Sequence, residues 1–310
     1  MAFISVVSPC YNEEGNLREL HSQIKAIFLK ISEHTYEHII IDNASTDGSL
    51  AILRELARQD KNLKVIVNTR NFGHIRSPFH ALLQATGDAV IAMASDLQDP
   101  PTLIPEFIER WEKGAKIVLG IKSETEESFP MSYMRKAYYR LVSRLSEIDL
   151  AKDFTGFGLY DRRVVDSLKA IDDPYPYFRG LLCDLGFEQV RIPYRQALRS
   201  RGITKNNFYT LYDTAMLGIT NHSKVPLRLA TMIGFGMSAL SFLIAVGYLV
   251  AKLMFWDQFR LGTAPILIGL FLFASVQLFF IGIVGEYIGA IHTQVQKRPL
   301  VIEKERINFK

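Results

Sequence analysis

Two carboxylates and an amide follow a short apolar run in the first third of the chain. The stretch MASDLQDPP, residues 93–101, places Asp96, Gln98 and Asp99 directly after small and apolar residues that are typical of a buried β-strand. Oxygen ligands grouped in this way suit Mg²⁺ or Mn²⁺ that bridges a diphosphate. The two prolines end the strand and begin a helix. Taken alone, the cluster does not distinguish a metal site from an ordinary acidic loop.

The chain around this cluster alternates between β-rich runs and helical patterns. The β-rich runs are FISVVSP, EHIIID, LKVIVN, AVIAMA and KIVLGI, and amphipathic stretches such as NLRELHSQIKAIFLKI lie between them. Strand and helix in regular succession predict an α/β fold with a mostly parallel sheet covered on both faces. Ligands of such sheets bind beyond the carboxyl ends of the strands. We therefore expect the polar clusters PCYNEE, DNASTDGS, NTRNFGH and SDLQDPP, which follow the first four strands, to meet at one edge.

Two uncharged stretches near the carboxyl end predict transmembrane helices. Residues 229–251 and 261–285 contain no charged side chain. At about 1.5 Å per residue, each is long enough to cross a hydrocarbon layer of roughly 30 Å. The alternative is a pair of core helices in a soluble protein, but such helices usually keep a polar stripe, which these stretches lack.

Basic residues predict the orientation of these helices. Lys252 and Arg260 flank the short connection, and five Lys or Arg residues follow Gly285. The bulk of the chain precedes the first span and begins without a basic leader. We therefore expect both termini in the cytoplasm, in a multi-pass protein of the inner (plasma) membrane. Cys10 and Cys183 lie in that cytoplasmic part, where a structural disulfide is not expected.

A basic segment and an amphipathic pattern precede the first span. Residues 191–212 hold four arginines and one lysine without an acidic residue, which suits an anionic lipid surface or a phosphate. Apolar residues from Phe208 to Ile219 then recur at helical spacing, as in a helix that lies in the membrane interface or packs on the preceding domain. The implied division is 1–205 for the α/β domain, 206–224 for the amphipathic helix, 225–292 for the two-helix hairpin and 293–310 for a basic tail. Small residues in IGFGMSALS allow close helix packing, so we expect a homo-oligomer, and no nucleic-acid partner.

Five motifs, in this order and at these spacings, resemble those of the family 2 glycosyltransferases with the GT-A fold. They are SVVSPCYNEEGNL, IIIDNASTDGS, RNFG, SDLQDPP and FTGFGLYDRRVVD. The likeness is strongest to the polyprenyl-phosphate glycosyltransferases, which include dolichyl-phosphate mannose synthases and bactoprenol glucosyltransferases of the GtrB type. It covers nearly the whole chain, and it implies a GT-A catalytic domain followed by an interfacial helix and two transmembrane helices.

The resemblance implies an inverting transferase of cell-envelope polysaccharide synthesis. Its reaction would move a hexose, most simply glucose from UDP-glucose, to undecaprenyl or another polyprenyl phosphate at the cytoplasmic membrane face. Donors such as UDP-N-acetylglucosamine, UDP-galactose or GDP-mannose remain open, as does a catalytically silent scaffold that supports a flippase. A nucleotidyltransferase is less expected, because the chain lacks a basic Gly-rich triphosphate loop.

The resemblance also implies which residues form the site. Asp96 and Gln98 are expected to hold Mg²⁺ or Mn²⁺, and Asp96 is expected to be catalytic together with Lys122, Arg135 and Arg201. The residues expected to bind the nucleotide sugar are Pro9, Tyr11, Glu13, Asp42, Asn71, Gly73 and Asp96. Those expected to screen the acceptor phosphate are Lys122, Arg135, Arg201 and Lys205.

Two positions depart from the family's pattern. Ala94 stands where the family commonly has the first acid of an Asp-x-Asp metal motif, and Gly156 stands where many relatives carry an acid or serine. Asp153, three residues before Gly156, is a candidate replacement. We therefore expect the metal to depend on Asp96, with help from Gln98 and the diphosphate. Asp99 is expected to lie one pleat too far along to matter as much.

Overall fold

A mixed sheet forms the centre of the α/β part of the molecule. The computed structural model describes residues 1–123, 154–196, 216–218, 220, 223–255 and 263–309. Within these residues the strands are β1 Phe3–Cys10, β2 Thr35–Asp42, β3 Leu63–Asn68, β4 Ala89–Ala92, β5 Ile117–Lys122, β6 Phe154–Asp161, β7 Gln189–Tyr194 and β8 Glu303–Ile307. Their order in the sheet is β7-β5-β6-β4-β1-β2-β3-β8.

Helices cover both faces of this sheet. They are α1 Leu17–Lys30, α2 Ser49–Gln59, α3 Gly73–Gln84, α4 Ile104–Glu112, α5 Arg162–Ile171 and α6 Phe178–Asp184, and a short 3₁₀ turn, Pro101–Leu103, precedes α4. The buried residues of α3 and α5 share one hydrophobic cluster, whereas those of α1 and α4 share another. Because both faces are covered, the central strands are buried continuously rather than at alternate positions.

Six strands run in the same direction. β1 is parallel to β2 and β4, and β2 is parallel to β3. β6 runs antiparallel between β4 and β5, and β7 is parallel to β5. The carboxyl ends of β1 to β5 and β7 therefore lie at one edge of the sheet, together with the start of β6. The predicted mostly parallel α/β sheet is confirmed.

The carboxyl-terminal segment returns to the sheet. β8 pairs antiparallel with β3 at the sheet edge, and Val301, just before it, is buried. The sequence predicts only a basic tail here, because EKERI contains four charged residues and no alternating apolar pattern. Charged residues are usual on edge strands, where they discourage pairing with other chains.

Two long apolar helices lie between β7 and β8. They are α7 Val225–Met254 and α8 Thr263–Gln296, and the segments Val225–Ile244 and Leu272–Gln296 are long and apolar enough to cross a membrane. Large apolar side chains such as Phe235, Phe242 and Phe279 are exposed on them. Because so large an apolar surface is unfavourable in water, these helices are candidate membrane spans, as predicted.

The boundaries of the membrane region differ in detail from those predicted. α8 continues past Gly285 and past the predicted boundary at 292 to Gln296, so Glu286 and His292 both lie on it. The predicted amphipathic helix at 206–224 falls largely outside the described residues. Of this stretch the structure describes 216–218, 220 and 223–224, and the first four of these residues are helical.

Candidate active site

A cavity of about 420 Å³ opens at the edge where the parallel strands end. Strand ends supply its floor, since Pro9 of β1, the turn after β4 and Lys122 of β5 all line it. The beginning of β6 and the first residues of α3 and α6 form its walls. A cleft outside the carboxyl ends of parallel strands is the usual ligand site of such sheets. Polar residues that follow different strands therefore meet at one edge of the sheet, as the sequence predicts.

The turn after β4 brings acidic side chains into the cavity. Asp96 Oδ1 accepts a hydrogen bond from the Gln98 backbone N–H at 3.2 Å, and Leu97 between them has a φ of +59°. This left-handed conformation is uncommon for leucine and turns the chain back on itself. As a result, Asp99 Oδ2 accepts a hydrogen bond from the Ala94 backbone N–H at 3.2 Å. The turn thus directs Asp96, Gln98 and Asp99 into the same cavity.

Asp99 is buried and bound on two sides. Its Oδ1 accepts a hydrogen bond from the Tyr194 hydroxyl at 2.7 Å, and the residue is only 5% exposed. Burial raises the pKa of Asp99 above its ordinary value, although the hydrogen bonds from Tyr194 and Ala94 oppose that shift. The sequence predicts that Asp99 projects into the ligand crevice one pleat beyond Asp96, and the structure places it in the cavity wall. The pleat does not describe its position, because a two-residue strand period does not continue through a left-handed turn.

Among the described residues, one lysine, one arginine and one histidine line the cavity, and the lysine was predicted. Lys122 lies at the end of β5, as expected from the strand pattern. Arg179 on α6 and His74 in the first turn of α3 also line the cavity and were missed. The signal for Arg179 is a single cation in the aromatic stretch PYPYFRG, and His74 belongs to the cluster NTRNFGH. The other predicted cations, Arg135, Arg201 and Lys205, lie outside the described residues.

The residues expected to receive the nucleotide lie at the ends of β1 and β2. Of Pro9, Tyr11, Glu13 and Asp42, Pro9 lines the described part of the cavity. Glu13 Oε2 accepts a hydrogen bond from Asn16 Nδ2 at 2.7 Å. Asp42 is buried, and burial raises the pKa of its carboxyl. These contacts fix the loops that follow the two neighbouring strands.

Asn71 and Gly73 determine where α3 begins, and the residues that follow them form the cavity wall. Asn71 Oδ1 accepts hydrogen bonds from Gly73 N–H at 2.8 Å and from Asn43 Nδ2 at 2.9 Å. Gly73 has a φ of +87°, which glycine adopts without the usual steric cost. The residues that follow, His74 and Ile75, do line the cavity. The predicted pair therefore shapes the site through the direction in which α3 starts.

The donor set of the cavity fits a divalent ion that is shared with a substrate. The described residues contain no group of three His, Cys, Asp or Glu side chains that could hold a metal ion. Asp96 and Gln98 instead present one carboxylate and one amide to the cavity. Mg²⁺ characteristically uses one or two carboxylates, waters and substrate phosphates. The two side chains suit an ion whose other ligands come from a diphosphate.

Both departures from the family's pattern lie in the cavity wall. Ala94 and Gly156 line it, and the Ala94 backbone N–H donates to Asp99. Gly156 has a φ of +103°, a conformation that side-chain-bearing residues rarely adopt. An acid at position 156 would therefore be strained in this backbone. Asp153, the candidate replacement, lies outside the described residues.

Comparison with known proteins shows which family shares this arrangement. The family model described as glycosyl transferase family 2 matches residues 5–169. The chain is 36% identical over 299 residues to the uncharacterized glycosyltransferase YkcC of Bacillus subtilis, with 96% of this chain and 92% of that protein covered. It is 33% identical over 305 residues to the SfII prophage-derived bactoprenol glucosyl transferase of Shigella flexneri, with 97% of each covered.

Solved structures were compared as well. The mannosyltransferase PcManGT from Pyrobaculum calidifontis, in complex with GDP-Man and Mn²⁺, is 15% identical with a TM-score of 0.46, over 96% of this chain and 88% of that one. The sequence relatives are matched nearly end to end, and the family model spans the strands that build the cavity floor. The motif order predicted this assignment, and the chain belongs to the family 2 glycosyltransferases.

Proposed function

We propose that this glycosyltransferase moves glucose from UDP-glucose to undecaprenyl phosphate at the cytoplasmic face of the plasma (inner) membrane. The observation that carries the proposal is the nearly full-length similarity to relatives named bactoprenol glucosyl transferases. That similarity extends through both apolar helices, which are the part of the chain suited to a membrane substrate. A homo-oligomer with both termini in the cytoplasm completes the proposal.

The charge on the departing diphosphate is the main barrier in such a transfer, and the cavity contains groups that oppose it. Lys122 and Arg179 both line the cavity and supply positive charge. Arg135, Arg201 and Lys205 are further candidates for contact with the acceptor phosphate. A divalent ion, when bound, would stabilise the same charge, and Asp96 with Gln98 would hold it.

The acceptor is ionised enough to attack without a general base. A phosphate monoester has a second pKa near about 6, so its oxygen is a nucleophile at neutral pH. That oxygen forms the new bond to the anomeric carbon while the bond to the diphosphate breaks on the opposite side, which inverts the configuration. Among the described residues, the carboxylates of the cavity wall are Asp96, assigned to the metal, and Asp99, bound to Tyr194 and Ala94. This arrangement suits a reaction that depends on positioning rather than on proton abstraction.

A loop joins the cavity to the second membrane helix. Pro176 and Tyr177 line the cavity, and the nearby Asp173 Oδ1 accepts a hydrogen bond from Gln294 Nε2 of α8 at 2.8 Å. A second crevice, of about 250 Å³, lies beside this loop and is lined by Tyr175 and by residues of α8 that include Glu286. The catalytic cavity therefore lies close to the membrane helices, which supports a lipid acceptor over a soluble one.

A transfer assay with radiolabelled UDP-glucose, purified protein and undecaprenyl phosphate tests the proposal. We expect a glucosylated lipid whose formation requires Mg²⁺ or Mn²⁺. UDP-N-acetylglucosamine, UDP-galactose and GDP-mannose, supplied in parallel, would identify another donor. Nucleotide binding without product from any donor would instead favour a silent scaffold and contradict the proposal.

Variants of the cavity cations refine the test. Lys122→Ala and Arg179→Ala should each slow transfer by about tenfold or more, because each removes charge that stabilises the transition state. Arg58→Ala is the matched control, since Arg58 is an exposed cation on α2 and does not line the cavity. Wild-type rates in both cavity variants would exclude them from this role.

A further inference from the structure

The carboxyl-terminal strand reaches helices on both faces of the sheet edge. Val67 of β3 pairs with Glu305, whereas the adjacent Asn68 pairs with Glu303, so Lys304 is an extra residue that forms a β-bulge. The bulge shifts the alternation of side chains along β8. Glu303 consequently contacts α3 and Glu305 contacts α2.

The contacts with α3 involve three side chains spaced four residues apart. Arg76 donates a hydrogen bond to the Pro299 carbonyl, and His80 Nε2 lies 2.6 Å from Glu303 Oε1. Gln84 Oε1 accepts a hydrogen bond at 2.8 Å from the arginine of β8. Positions four apart lie on one side of a helix. The carboxyl-terminal segment therefore contacts this side of α3 from its first turn to its last. The His80 and Glu303 side chains are only 16% and 20% exposed, which limits competition from water.

Another side of α3 forms a wall of the substrate cavity. Ile75, Pro78, Phe79 and Leu82 line it, together with His74. Pro78 has no N–H, so α3 lacks the backbone hydrogen bond that would otherwise run from residue 78 to the carbonyl of residue 74. The first turn of α3 is therefore less well held by its own backbone. Contacts from outside the helix, among them the hydrogen bond from Arg76 to the Pro299 carbonyl, help to position this part of the wall.

We infer that β8 is a positioning element of the active site. Glu303 contacts His80 and thereby keeps α3 in the position that binds the sugar nucleotide. The inference rests on the proposed function in one respect, that the sugar nucleotide occupies this cavity. A displaced wall weakens the binding of the sugar nucleotide and raises its KM, without changing the groups that act on the reacting atoms. The family model ends at residue 169, so this role belongs to residues far beyond the matched domain.

Two variants of the full-length protein, at Glu303 and at Glu305, test the inference. Glu303→Ala breaks the contact with α3, whereas Glu305→Ala breaks the contact between Glu305 Oε2 and Arg54 Nη2 of α2, 2.6 Å apart. Each change removes one carboxylate from the same strand. Glu303→Ala breaks the ion pairs with His80 and Arg306, and Glu305→Ala breaks the ion pair with Arg54. We expect Glu303→Ala to raise the KM for UDP-glucose about fivefold with little change in kcat, because substrate binding is weakened. Glu305→Ala should leave the KM unchanged, and Glu303→Gln, which keeps an acceptor oxygen, should restore most of the affinity.

Equal KM values for Glu303→Ala and Glu305→Ala, whether raised or unchanged, would overturn the inference. Thermal unfolding midpoints of both variants show whether a raised KM only reflects a loosened fold. Where Glu303→Ala does not fold, His80→Ala replaces it, because it removes the other partner of the same contact. It should also raise the KM, and a wild-type KM in His80→Ala would overturn the inference. Absence of glucose transfer by the wild-type protein would contradict the proposed function instead. In that case calorimetric titration of the same variants with UDP still decides the role of β8.

Discussion

Replacement of Asp99 by alanine should destabilise the protein much more than replacement by asparagine. Asp99 joins the Tyr194 hydroxyl, at 2.7 Å, to the Ala94 backbone N–H, at 3.2 Å. Asparagine can still accept from Ala94 through its carbonyl oxygen, and its amide group can donate to the Tyr194 oxygen. Alanine leaves both donors without their partner. The comparison therefore separates the bridging role of the side chain from its charge.

The expected loss of stability in Asp99→Ala follows from the two donors that lose their acceptor. A buried polar group that loses its partner costs about 1 to 3 kcal/mol. Tyr194 is only 5% exposed, whereas Ala94 is partly exposed, so Asp99→Ala should cost about 2 to 4 kcal/mol in total. For a domain of this size, about 1 kcal/mol corresponds to about 2 to 4 °C in Tm. We expect Tm to fall by about 4 to 16 °C for alanine and by no more than about 4 °C for asparagine.

Thermal unfolding in detergent, followed by intrinsic fluorescence, measures these differences. Tyr194→Phe provides the second side of a double-mutant cycle, because it removes the hydroxyl that alanine at position 99 would leave without a partner. The combined variant should therefore lose less stability than the sum of the single variants, by about 1 kcal/mol. Equal losses for alanine and asparagine, or strict additivity in the cycle, would refute a bridging role for Asp99.

Three further outcomes are expected. Asp96→Asn should abolish transfer, and Ala94→Asp should tighten the binding of Mn²⁺ in the absence of nucleotide. Substantial metal-dependent activity in Asp96→Asn would contradict the metal assignment. A reporter fused after Lys310 should be active in the cytoplasm, and activity confined to the periplasm would reverse the topology. Burial alone would raise the pKa of Glu37, but the hydrogen bonds that its carboxylate accepts from Lys64 and its other partners hold the pKa below the usual value. The resulting stability is present above the ordinary pKa of 4.5 and is lost as pH falls through the lower folded value. Below pH 4.5, the Tm of the wild type should therefore fall more steeply with falling pH than the Tm of Glu37→Gln. Parallel curves of Tm against pH would exclude a contribution of Glu37 to stability.

The strand ends and the residues that follow them were predictable because local patterns determine them. Apolar runs mark the strands, and polar clusters after them converge wherever strands are parallel. Pro9, Asp96, Gln98 and Lys122 accordingly line the cavity as the sequence predicts. Their positions depend on the strand pattern and on the sheet direction, which the alternation of elements already implies.

Other parts of the site depend on contacts that no local pattern reveals. Asp99 bridges Tyr194 and Ala94 because Leu97 adopts a left-handed conformation, which the sequence gives no reason to expect. Arg179 reaches the cavity because of how α6 packs, although its own stretch resembles an ordinary helix start. β8 forms from EKERI because the edge of β3 and the side chains of α2 and α3 accept it. In each case the deciding interaction joins residues that are not neighbours in a single element.

The return of the chain to the sheet constrains how the protein crosses the membrane. β8 is hydrogen-bonded to β3, so residues on both sides of the apolar helices belong to one sheet and lie on one side of any membrane that α7 and α8 span. An even number of crossings satisfies this condition, and the two candidate spans satisfy it. A single crossing would separate β8 from β3 and break the sheet. This geometric condition is independent of the distribution of Lys and Arg. The basic residues then have only to select which side of the membrane the whole sheet occupies, and that choice is what the fusion after Lys310 measures.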